Sequence, residues 1–115
     1  MFELEINGKM YPFKFGIGFL REINKSRIVN GEEVGFRYNV ANLIGEGDPT
    51  SLCDILMAAN KGQSPRITAK DLEGYIEEGE DLDELTEKVV DFLEKNNCTK
   101  KLMEKVQTAL KELQE

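Results

Sequence analysis

The side chains that most often perform chemistry at neutral pH are scarce in this sequence. It contains no histidine, which removes at once the commonest general base and the commonest zinc ligand. Triads that depend on histidine are excluded. Cys53 and Cys98 are the only cysteines and stand far apart, too few for a four-ligand zinc site without carboxylates that the sequence does not place beside them. Gly16-Ile17-Gly18 and Gly45-Glu46-Gly47 each look like a fragment of a phosphate loop. Neither continues to a third glycine or to Gly-Lys-Ser/Thr, so both read as turns. The acidic run from Glu77 to Glu84 lacks the Asp-x-Asp-x-Asp-Gly spacing of a calcium loop, and it reads instead as negative charge set against the positive end of a helix dipole. Acid–base work by paired carboxylates needs one of them in an apolar pocket with a raised pKa, which only the folded chain reveals. The expectation is a non-catalytic protein without metal or cofactor, whose function lies in binding other protein.

Charge narrows the partner. The net charge is -7, but the stretch 71–95 holds eleven acidic residues against Lys88 and Lys95, a local balance of -9 that leaves +2 for everything else. A nucleic-acid surface needs clustered lysine and arginine to neutralise phosphates, so no nucleic-acid partner is expected. The acidic stretch reads first as the solvated face of helices and second as a docking surface for a basic partner or a mimic of DNA charge. No apolar run approaches the roughly 20 residues of a membrane span. The start Met-Phe-Glu-Leu-Glu lacks the positive charge and apolar stretch of a secretory signal. A cytoplasmic location is expected, with both cysteines kept as thiols.

The elements that would position any binding surface follow from periodicity and caps. Phe2 to Phe15 alternates apolar and polar residues on both sides of Asn7-Gly8, the pattern of a β-hairpin with a type I′ turn. Pro12 cannot donate to a ladder, which places its strand at an edge that something must cover. Phe19, Leu20 and Ile23 recur at helical spacing. Ser26 to Tyr38, with Asn30-Gly31, reads as a loop or a second small hairpin, and Val40 to Ile44 as one or two buried helical turns. Asp48-Pro49 opens a helix that Gly62 would close with a left-handed cap. Thr68 with Asp71, and Asp81 with Glu84, cap two more. Thr99 starts a last helix striped by Leu102, Val106, Ala109, Leu110 and Leu113. The fold class is α+β and predominantly helical, an N-terminal β-hairpin followed by five or six α-helices. A single domain is expected over 1–115: hairpin over 1–15, helical middle over 16–62, then an acidic helix and a C-terminal helix pair over 67–115.

Taken together, FELEINGKMYPFKFGIGFLREINK, YNVANLIGEGDPTSLCDILMAANKG and DLDELTEKVVDFLEKNN resemble the tail assembly chaperones of long-tailed phages and prophages of Gram-positive bacteria. The likeness runs from the hairpin through the final helix pair. It implies a protein encoded between the major tail protein and the tape measure protein, commonly extended by a translational frameshift and absent from the finished virion, with this chain as the shorter product. It further implies work in the host bacterial cytoplasm, the tape measure protein as partner, and self-association. The major tail tube protein and a frameshifted longer form of the chain are further candidate partners. An acidic inhibitor or DNA mimic, and a structural tail component, are the competing readings.

A tape measure protein is a very long helix whose apolar stripes would associate wrongly before a tube forms around it. An amphipathic helix is held by an apolar groove through anchors at i, i+3, i+4 and i+7. The candidate contacts are Leu102, Val106, Leu110 and Leu113 on the last helix, and Phe13, Phe15 and Phe19 in the aromatic N-terminal region. Seven of the nine aromatics lie before Asn39. The same stripes are also what a small core would use.

Overall fold

The computed structural model describes residues 2–79 and 81–114. Strands β1 (Phe2–Ile6) and β2 (Lys9–Phe13) form an antiparallel hairpin with Phe2 opposite Phe13 and Ile6 opposite Lys9. Asn7 and Gly8 both have positive φ, 54° and 77°, as a type I′ turn demands. Helix α1 (Ile17–Lys25) follows, then a second hairpin of β3 (Ile28–Val29) and β4 (Glu32–Glu33) around Asn30-Gly31, again with both residues at positive φ. Five further helices complete the described chain: α2 (Gly35–Glu46), α3 (Pro49–Asn60), α4 (Ala69–Glu78), α5 (Leu82–Lys95) and α6 (Lys100–Gln114).

Three helix starts are local. Asp48 accepts from the Thr50 N–H, Thr68 from that of Asp71, and Asp81 from those of Asp83 and Glu84, each satisfying donors that the first turn leaves free. Helix α2 starts differently, and it is longer than the one or two turns expected around Val40. No side chain of its own N-cap bonds to it; the Asn24 Oδ1, from α1, accepts from the Phe36 N–H at 3.0 Å. Asn39 then donates to the Gly35 carbonyl and to Ser26 Oγ. Gly35 is required there because a β-carbon would overlap the Ile23 carbonyl oxygen.

Two further expectations are corrected. Gly62 does not cap α3 but sits at φ +81° after Lys61 (φ -60°, ψ 129°), with the Gln63 N–H donating to the Asn60 carbonyl. Those angles are a type II turn, whose third position favours glycine. Thr99 is fully buried and turns its hydroxyl backwards, donating to the Leu93 carbonyl at 2.7 Å, which ties α5 to the start of α6.

The core is one contiguous cluster. Phe2 meets Phe13, Phe15 and Phe92 edge-on at 5.4 to 5.9 Å, and Phe15 continues through Phe19 to Phe36, geometries that aromatic quadrupoles favour. The outer edge of β2 is covered by the end of α3. Lys14 N–H donates to the Ala59 carbonyl, and Asn60 Nδ2 donates to the Pro12 carbonyl at 2.9 Å. Asn60, with none of its surface exposed, also donates to the Pro65 carbonyl, while its Oδ1 accepts from the Ile67 N–H at 2.7 Å and from Arg66. Asn60→Ala should therefore lower unfolding stability by about 3 kcal/mol, the cost of leaving several buried backbone groups unpaired. Urea denaturation of the two proteins measures the difference, and a change below about 1 kcal/mol would mean water replaces the amide.

Candidate partner-binding surface

The candidate contact residues separate sharply. Phe13, Phe15 and Phe19 lie in the core, as does Val106 on the inner face of α6. A side chain without accessible surface cannot grip a partner while the fold is intact, so these four are corrected to core residues. Leu102 and Leu110 are half-buried against the same core. Leu113 alone of the group is open, at 83% exposure.

Open apolar surface also occurs where the sequence reading placed none. Ile28 is 60% exposed and Val29 is open beside it on the second hairpin, and Tyr38, on the first turn of α2, is exposed with the Arg27 guanidinium 4.4 Å over its ring. A cleft of about 430 Å³ lies between them, lined by Val29, Glu32, Val34, Arg37 and Tyr38. At the other end of α2 a second cleft of about 440 Å³ is lined by Ile44, Gly45, Gln107, Leu110 and Lys111. The two are joined by the outer face of α2, because residues three and four apart share a face: Tyr38, Ala41, Ile44 and Gly45 stand opposite the buried Phe36, Asn39, Val40 and Leu43. Arg37 and Glu46 are the only charges in α2, whereas charged residues make up 32% of the chain. That charge-poor exposed face was the signal available in the sequence.

A third cleft, about 270 Å³ between α3 and α4, gathers Cys53, Asp54, Glu73 and Glu77. Burial, with Asp54 and Glu73 adding to it, pushes the Cys53 thiol up to about 11, and burial with Asp48 nearby raises Asp54. A thiol held protonated is a weak nucleophile. Among the described residues no group of three or more cysteine, histidine or carboxylate side chains is placed to hold a metal ion, and no helix is long and apolar enough to cross a membrane.

A family model described as phage tail assembly chaperone protein, TAC, matches residues 3–107. The chain belongs to this family. No curated protein and no solved structure is significantly similar to it. In this chaperone the matched region spans both hairpins, α1 to α5 and the inner half of α6, so the core, the α2 face and both of its end clefts fall largely within what the family shares, while Leu113 lies beyond it.

The two thiols should differ in reactivity. Cys98 is exposed and Cys53 half-buried. At a pH below the ordinary thiol value of 9.0, a disulfide reagent should modify Cys98 rapidly in the native chaperone and Cys53 only after denaturant is added. Two thiols reacting together in the native protein would contradict the packing of α3 on α4.

Proposed function

We propose that this tail assembly chaperone holds the tape measure protein during tail morphogenesis, covering its apolar helical stripes until the tube assembles. Family membership over most of the chain is the observation that carries the reading, and it favours a chaperone over an acidic inhibitor or a structural tail component. The chaperone acts in the host cytoplasm, leaves before the virion is complete, and meets the tail tube protein or a longer frameshifted form of itself in the same assembly.

The contact is apolar and centred on the outer end of α6. Leu113 projects from a stripe whose inner members, Met103 and Val106, are buried, so the end of α6 offers greasy surface without drawing on the core. Full burial of one leucine is worth about 1.5–3 kcal/mol, enough for a tenfold or larger change in affinity. The surrounding lysines and glutamates keep the site soluble when empty.

Co-expression with the adjacent tape measure protein tests this. Leu113→Glu should reduce the tape measure protein recovered with the chaperone at least tenfold, while the circular dichroism spectrum and melting temperature of the chaperone alone stay unchanged. Undiminished recovery with a folded variant would remove the outer end of α6 from the interface.

A further inference from the structure

The outer face of α2 has a pattern that fits itself. Its charges stand at opposite ends, Arg37 in the first turn and Glu46 at the last residue, and among the described residues neither takes part in an ion pair within the chain. Its one large exposed ring, Tyr38, stands near the start, and Gly45, which has no side chain, near the end.

We propose that this face is the contact with a second copy of the chain, the two α2 helices packing antiparallel across a twofold axis. A twofold contact is isologous, so each residue meets its counterpart's partner and the pattern must be self-complementary. With the axis midway between Ala41 and Asn42, Arg37 opposes the partner's Glu46, and Tyr38 opposes the partner's Gly45. Each match occurs twice. The small Ala41 at the crossing lets the backbones approach.

The end clefts agree with this placement. The same rotation lays the cleft beside Tyr38 over the partner's cleft beside Ile44, setting apolar Val29 against Leu110 of the partner subunit and Glu32 against Lys111 of the partner subunit. Two opposite-sign matches per half, Arg37 with Glu46 and Glu32 with Lys111, favour a copy of this chain over an unrelated helix.

Gly45 points the same way. A glycine inside a helix costs up to about 1 kcal/mol relative to alanine. Nothing within this chain requires one at 45, since a β-carbon there would meet only Leu110 Cδ2 at an ordinary 3.7 Å. A ring seated on that position from outside is what a side chain would obstruct.

Sedimentation velocity on the purified full chain, without any tape measure protein, provides the test. The wild type should sediment as a dimer. Arg37→Glu and Glu46→Arg should each weaken the dimer at least tenfold, because each places two like-charge pairs across the axis, and the double reversal R37E/E46R should restore it. Both positions are exposed, and circular dichroism confirms folding of every variant. A wild-type monomer, single reversals without effect, or a folded double reversal that stays monomeric each overturns the proposal. So does loss of tape measure recovery in the single variants with no change in mass, which would assign the face to that partner. Because association is read on the chaperone alone, its failure leaves the tape measure reading standing.

Discussion

The amide of Asn60 is the point through which the hairpin, the long central helix and the acidic half of the chain are joined. Its side chain has two donor hydrogens and an acceptor oxygen. Here the hydrogens go to the carbonyls of Pro12 and Pro65 and the oxygen takes the Ile67 N–H and an Arg66 hydrogen. Each hydrogen bond contributes only about 1 kcal/mol net, but a buried group left without a partner costs about 1–3 kcal/mol. The asymmetry decides the matter. Pro12, having no N–H, still presents a carbonyl at the edge of β2, and the turn from Lys61 to Ile67 presents others. One residue at the end of α3 satisfies them and so fixes how α4 leaves α3.

Similar joints recur at the other element ends. Asn24, Ser26 and Asn39 bind the start of α2 to the end of α1. Asn96 donates to the Phe15 carbonyl and accepts from the Cys98 N–H, while Thr99 reaches back to Leu93. The centre is apolar, with aromatic rings from the first hairpin, α1, α2 and α5. Polar side chains are admitted only at the junctions, where backbone groups would otherwise be unpaired. Among the described residues, every buried side-chain nitrogen and oxygen has a hydrogen-bond partner. A body joined in this way has no spare interior surface to lend, so its function must be exercised from outside.

This division explains what was legible from the residues. Asn-Gly pairs at positions 7–8 and 30–31, and the caps at Asp48, Thr68 and Asp81, are written within four residues of what they control, and each could be read directly. The start of α2 could not, because its capping oxygen arrives from Asn24 on another helix. Gly62 looked like a helix cap, since positive φ suits both that role and a type II turn; only the Gln63 hydrogen bond separates them. Phe13, Phe15, Phe19 and Val106 were ambiguous for a deeper reason: an apolar stripe is the same sequence whether it faces a core or a partner. What does distinguish the two is an exposed helix face without charge, and Arg37 to Glu46 carried that mark.

Reversible holding sets limits on how such a protein can bind. Micromolar affinity needs about 8 kcal/mol, and a single leucine at 1.5–3 kcal/mol is too little for a partner many turns long. Enlarging one apolar patch would endanger solubility, since large exposed patches promote aggregation. Repeating a small patch avoids this: each site stays weak enough to release, and two sites on one particle raise the effective concentration of the second contact. The acidic helices suit the same end. Charge concentrated over 71–95 repels other copies that approach through that face, yet with a Debye length of about 8 Å at physiological salt it does not reach a contact made elsewhere. Repulsion on one face and modest apolar surface on others let a small domain meet selected partners and still come away.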